Sequence, residues 1–180
     1  MQPSPGIRHG QLRAEWPTRR IASAIASCLV IFLGAVVIPS PACAQKVRIT
    51  NVTDVDFSLI ANLQVESRRS QNICLFSNSA GNAYSVAASG SGPGGSFTLA
   101  NGSSSLPYDV EWSTQSGQTS GTSLSANQIL SRQTSAATQQ FCNSGPAASA
   151  SLTIVLRAAE LSRAREGNYS GSLTLLIAAE

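Results

Sequence analysis

Asn168-Tyr169-Ser170-Gly171-Ser172-Leu173-Thr174-Leu175-Leu176-Ile177 sets Tyr169, Gly171, Leu173, Leu175 and Ile177 on one face and Ser170, Ser172 and Thr174 on the other. Strict alternation of this kind is the period of a β-strand with one buried face. Leu176 interrupts the polar side, which predicts that the end of this strand is covered on both faces. The same period recurs at Tyr108, Val110 and Trp112, opposed by Asp109 and Glu111. Working outward from these two runs, strands are predicted at 47–52, 55–59, 72–76, 84–88, 97–99, 108–112, 151–156 and 169–177. Turn-forming clusters at 77–82, 89–95 and 101–105 separate them. No long helical period is present, so the pattern is that of an all-β sandwich. Residues 113–127 and 133–150, rich in Ser, Thr, Gly, Gln and Ala, read as loops or poor edge strands. The charged cluster at 157–166 reads as a solvated connection between the last two strands, although 158–161 could form a single helical turn.

At the other end of the chain, Arg8, Arg13, Arg19 and Arg20 precede an uncharged run from Ile21 to Ile38, and Ala42-Cys43-Ala44 follows it. That order is a basic head, an apolar segment and a small-x-small cleavage site. The run approaches the length of a membrane anchor, about 20 residues, but small residues dilute its first half, and Pro39 and Pro41 break it just before the cut. Residues 1–44 are therefore expected to be a cleaved signal peptide and residues 45–180 the mature domain, secreted through the periplasm to the cell surface or beyond, with no stable membrane insertion after cleavage. A lipid anchor on Cys43 and a twin-arginine route at Arg19-Arg20 both fit the surrounding residues less well.

Removing the head changes what the composition implies. Four of the 12 Lys and Arg and one of the nine Asp and Glu precede residue 45, leaving eight of each in the mature chain. The basic balance of the whole sequence thus offers no support for nucleic acid as a partner. His9, the single histidine, also lies in the head. A mature chain without histidine cannot run Ser-His or Cys-His nucleophilic catalysis, nor build a histidine-containing zinc site. Of the four cysteines, Cys28 and Cys43 belong to the head, leaving Cys74 and Cys142, which are expected to pair in an oxidising compartment.

Several constellations that could carry chemistry have simpler explanations. Asp54 and Asp56 project to one side of a predicted strand, as do Asp109 and Glu111, but charges belong on a solvated strand face and no third cation ligand accompanies either pair. Tyr108 and Trp112 could form a sugar-stacking platform; their alternation with Val110 favours core packing. Ser89-Gly90-Ser91-Gly92-Pro93-Gly94-Gly95 lacks the Lys-Ser/Thr and helix of a phosphate-binding loop, and no Gly-x-Ser-x-Gly elbow is present. No catalytic residue, metal site or cofactor is expected.

The export head, Asn72-Ile73-Cys74 in one strand followed by a second alternating strand, the Leu106-Pro107-Tyr108-x-Val110 strand and the Tyr169-Ser170-Gly171-x-Leu173-x-Leu175 ending together resemble the spore coat protein U domain family. That family is similar to the subunits of archaic chaperone-usher pili. The resemblance covers roughly residues 55–177. It includes Val55-Asp56-Phe57, where Ser58 stands in place of the family's usual glycine. It implies an immunoglobulin-like sandwich that is incomplete, its missing strand supplied by a periplasmic chaperone and then by a neighbouring pilus subunit, with an outer-membrane usher assembling the fibre. Two departures are plain: the family's early cysteine is absent, so the disulfide must be drawn to Cys142, and little chain precedes Phe57 to serve both as donor and as first strand. On this resemblance Tyr169, Gly171, Leu173, Leu175 and Ile177 lie beside a strand-accepting groove. Val47 and Ile49, alternating with Lys46, Arg48 and Thr50, are the candidate donor plugs, or else simply the domain's own first strand. The functions that follow are a non-catalytic structural subunit or tip component of a pilus or fimbria or, alternatively, a secreted coat or biofilm-matrix protein that binds a surface or polymer.

Overall fold

The computed structural model describes residues 44–180, so the export head and its cleavage site lie outside the described residues but for Ala44. Those residues form ten strands: β1 (Val47–Thr50), β2 (Ser67–Ser77), β3 (Ala83–Gly90), β4 (Thr98–Asn101), β5 (Ser104–Pro107), β6 (Asp109–Ser113), β7 (Thr122–Leu124), β8 (Ile129–Thr134), β9 (Ala150–Leu156) and β10 (Leu173–Ala179). One short helix, α1 (Ala158–Leu161), follows β9. Among the described residues, no helix is long and apolar enough to cross a membrane.

Every ladder between these strands is antiparallel. A five-stranded sheet in the order β1-β2-β9-β6-β7 faces a three-stranded sheet, β10-β3-β8, and β4 and β5 form a separate hairpin. The arrangement is the expected all-β sandwich. Its core joins Ile73 and Leu75 of β2, Val110 and Trp112 of β6, and Leu152 and Leu156 of β9 to Tyr84 and Val86 of β3, all at most 2% exposed. Tyr108 and Trp112 thus lie in the core and not on a sugar-binding surface. Trp112 Nε1 donates to Tyr84 Oη at 3.0 Å, and the two rings meet edge to face at 6.4 Å between centroids. An indole N–H buried between sheets needs such a partner. This one pins the two sheets together.

Central β9 is buried along its whole length, because its outer face is also covered. The polar segment 113–121 folds back over it: Gln118 N–H donates to Ser151 Oγ and Ser151 Oγ to Gln115 O, while Gly117 N–H donates to Asn72 Oδ1. Gly121 has to be glycine here, since a Cβ would stand 2.3 Å from Trp112 O. This cover overturns the solvated-face expectation for Glu111. The residue is 6% exposed, and its carboxylate accepts hydrogen bonds from Arg68 Nη1 at 3.0 Å and Gly121 N–H at 3.1 Å. Asp109 remains half-exposed and pairs with Arg157 at 2.5 Å.

Four further expectations are corrected. Residues 55–59 are not a strand: Asp56 Oδ1 accepts the Ser58 N–H at 2.7 Å, a local side-chain turn that puts Ser58 in the left-handed region (φ 53) and ends the extended run. The closing strand begins at Leu173, not Tyr169. Leu176 is 68% exposed, so the end of that strand is covered on one face only. The 157–166 connection is not wholly solvated, since it carries α1 and buries Leu161 against the core. Beyond these corrections, the 113–127 run read as a loop or poor edge strand contains β7, β8 begins between the two such runs and reaches only the first residues of the 133–150 run, and the 101–105 turn holds the start of β5.

Candidate functional site: an open groove between two sheet edges

β10 pairs with β3 from Leu173 opposite Gly90 to Ala179 opposite Tyr84. Among the described residues, its other edge joins no ladder. Across the sandwich, β1 covers only Cys74–Ser77 of the 11-residue β2, which leaves the flank of 67–73 without a ladder partner on that side. Between these two unpaired edges runs a groove of about 1110 Å³. Its floor is apolar, built by Leu106, Tyr108, Leu152, Ile154 and Leu156, all buried core residues. Burial raises the Tyr108 phenol above its usual range, as an apolar floor requires.

Leu173 and Leu175 line the β10 wall. Together with Ile177 they are half-buried, the exposed alternates being Thr174, Leu176 and Ala178. Tyr169 and Gly171 precede the strand but reach the same groove. Tyr169 packs on the core while its hydroxyl exchanges hydrogen bonds of 3.1 Å with the Arg165 N–H and C=O. Beside Gly171, an added Cβ would stand 2.8 Å from Ser91 Oγ and 3.1 Å from Leu99 Cδ2. Four of the five sequence-predicted edge residues, Tyr169, Gly171, Leu173 and Leu175, therefore line the groove, the first two ahead of the strand, while Ile177 lies farther along β10 outside the groove lining.

Val47 and Ile49 are in β1, opposite Ser77 and Leu75 of the same chain, and are half-buried against the core. Ile49 lies at one end of the groove. Sequence reasoning missed what lies along the groove itself. Residues 51–60 join no ladder and make no backbone-to-backbone hydrogen bond. Even so, Val55, Phe57 and Ile60 are half-buried against the core. Two β2 side chains hold this segment: Gln71 Oε1 accepts from Thr53 N–H at 2.9 Å and Thr53 Oγ1 at 3.0 Å, and the Arg69 guanidinium lies 5.8 Å from the Phe57 ring centroid. The alternation of Val55 and Phe57 was the available signal; the turn at Asp56 and Ser58 turned a strand into a strap. Asp54 and Asp56 lie exposed on it. Among the described residues, no three His, Cys, Asp or Glu side chains gather to hold a metal ion.

Cys74 and Cys142 form a disulfide away from the groove. It fastens the 135–149 loop to β2 beside β1, where the Arg48 guanidinium stacks 3.8 Å over the Phe141 ring. On the outer face of the larger sheet, Glu66 bridges Arg68 at 2.6 Å and Arg157 at 3.4 Å. The Arg68 hydrogen bond holds the Glu66 carboxyl below its ordinary range. Desolvation pushes the buried Tyr84 phenol up to about 12.

No family model matches the sequence, and no curated protein matches it. Among solved structures, the chain is similar to one described as "Chaperone-tip adhesin complex is vital for synergistic activation of CFA/I fimbriae biogenesis", with 14% sequence identity and a TM-score of 0.47 over 76% of this chain. The likeness spans 41% of that chain, less than half its length.

Proposed function

We propose that this protein is a non-catalytic structural subunit or tip component of a surface pilus or fimbria, of the spore coat protein U kind, completed by a strand from another molecule. The observation that carries the reading is the pair of unpaired edges, β10 and the 67–73 half of β2, facing each other across an apolar floor. An open edge with apolar side chains beneath it templates strand addition, and soluble proteins ordinarily protect such edges. A foreign strand would complete ladders there, each net hydrogen bond contributing about 0.5–1.5 kcal/mol. Each fully buried inward side chain would add roughly 1.5–3 kcal/mol. Its partners are then a periplasmic chaperone, an outer-membrane usher and other pilus subunits or copies of itself, met after export.

The donor question turns on β1. A mature chain beginning at Gln45 keeps Val47 and Ile49 in its own sheet; it accepts a strand without giving one, which suits the end of a fibre. Donation would require β1 to leave its own β2. The strap favours a second reading, a secreted coat or matrix protein of the same fold that covers its own groove. Hydrogen exchange on the exported protein separates the two. Strand addition predicts that amides of Leu173–Ala179 gain protection as light scattering registers assembly, and neighbouring genes for a chaperone and an usher would agree. A monomer at all concentrations whose β10 edge is already fully protected overturns the pilus reading. Deleting residues 45–52 tests the donor: lost folding marks β1 as intrinsic, whereas a folded variant that no longer assembles marks it as the donated strand.

A further inference from the structure

Residues 52–60 line the groove that an added strand would enter, yet they do only half of what a strand does. Val55, Phe57 and Ile60 cover the apolar floor, while the segment leaves the neighbouring edges without ladder partners. Left-handed residues at both Asn51 (φ 64) and Ser58 (φ 53) bend the chain out of a continuous extended line, so the strap cannot simply prolong β1 along β2. Its outer side mixes the exposed carboxylates of Asp54 and Asp56 with two exposed apolar side chains, Val52 at 51% and Leu59 at 92%. The strap is therefore held by side-chain packing, the Thr53–Gln71 contact and the Arg69 guanidinium 5.8 Å from the Phe57 ring centroid, with no ladder, the kind of attachment found in segments that open locally.

Resting on the strand-accepting reading above, we infer that residues 52–60 are a resident placeholder, which covers the groove in the unpartnered chain and is expelled by the strand that takes its place. The displacing strand is an extended segment carrying a branched aliphatic side chain and a second apolar side chain two residues on, the spacing of Val55 and Phe57, with polar residues between them facing out. Placeholder and partner compete for one floor, so apparent affinity for the partner falls by the fraction of chains whose groove is free. The strap shields the groove before assembly and sets how strong a partner must be.

The test uses the exported chain and a synthetic peptide of residues 45–52, which presents Val47 and Ile49 two residues apart and lacks aromatic, Leu and Met residues, so chymotrypsin leaves it intact. With peptide in excess, amides of Leu173–Ala179 gain protection and chymotryptic cleavage after Phe57 accelerates several-fold as the strap lifts. The variant Val55→Ser/Phe57→Ser binds the peptide about tenfold more tightly or better, because the competitor has lost its apolar grip. Protection of β10 with Phe57 cleavage unchanged or slower overturns the placeholder while leaving strand acceptance intact. If neither the native chain nor the loosened variant gains β10 protection, the groove is not a strand acceptor and both readings fall.

Discussion

Removing the disulfide with Cys74→Ala/Cys142→Ala tests how far a cross-link, not the core alone, holds this sandwich. The two residues are 68 apart in sequence, and the loop-entropy model assigns closure of such a span roughly 4 kcal/mol, against a typical 5–15 kcal/mol for a whole domain. Two local features adjust that figure slightly, in opposite directions. Ser135 Oγ and Ser149 Oγ both donate to Leu75 O, so the loop keeps two anchors on β2 when the bond is gone. The Cys74 and Cys142 side chains are 0% and 6% exposed, and truncating each by one atom leaves small voids beside Phe76 and Ala137 that add a modest cost. The expected loss is about 3–5 kcal/mol. Trp112, the single tryptophan after residue 45, sits between the sheets and reports unfolding by its fluorescence. At a urea slope of about 1.5–2 kcal/mol/M the midpoint falls by roughly 2 M, and the slope steepens somewhat because the denatured chain without its cross-link exposes more surface. A midpoint within about 0.5 M of the parent would refute the reasoning, because it would mean that the denatured chain gains almost nothing when the loop is opened. The double variant is preferred to either single one, which would leave a free thiol to mispair during export.

Two other expectations rest on single contacts and a third on the export head. Glu111→Gln removes the charge facing Arg68 inside the 113–121 cover and should cost about 2–4 kcal/mol; a double-mutant cycle with Arg68→Met should return a coupling of at least 1 kcal/mol, and none would mean the pair is mere proximity. Because the folded Tyr84 phenol titrates near 12 and an unfolded one near 10, the unfolded state releases its proton first, so stability falls as pH rises from 10 to 12, by roughly 2–3 kcal/mol. Tyr84→Phe should flatten that alkaline limb while costing about 1–2 kcal/mol at pH 7 through the orphaned Trp112 N–H; an unchanged limb in chemical denaturation at pH 11 would contradict the assignment. N-terminal sequencing of exported protein should begin at Gln45, with recovery of an intact 28–38 segment in membranes as the contrary result.

Periodicity made the sandwich legible wherever one face was buried and the other wet. Tyr108, Val110 and Trp112 announced β6 in this way, and Leu173, Leu175 and Ile177 announced β10. It failed for β7 and β8, whose Ser, Thr and Gln carry no apolar period; these strands form because the neighbours they pair with are already in place, β6 for β7 and β3 for β8. Glu111 was misread for a related reason. A charge alternating with core residues belongs to a solvated face unless a distant segment covers it, and nothing in Asp109-Val110-Glu111 reveals that 113–121 will fold back. The disulfide followed from counting thiols. The wall of the groove was visible in the closing alternation, but its extent was not, since that depends on how far β1 runs along β2.

That last point bears on why the ladders along the groove stay incomplete in the isolated chain. To close itself, the sandwich would need the residues after Thr50 to continue the ladder along 67–73 of β2, and their apolar pattern is nearly suitable. The backbone prevents it twice. Asn51 leaves β1 in the left-handed region (φ 64), where Asn is among the few residues tolerated, and the Asp56 carboxylate captures the Ser58 N–H that a ladder would need. Ser58 holds its positive φ (53) at a cost of about 1–2 kcal/mol that a glycine would avoid. A chain selected only to complete itself would gain by straightening this segment. Keeping two bends and side-chain contacts in place of a ladder suits a segment that must come away, and that is the physical ground for preferring strand acceptance to a self-completed coat protein.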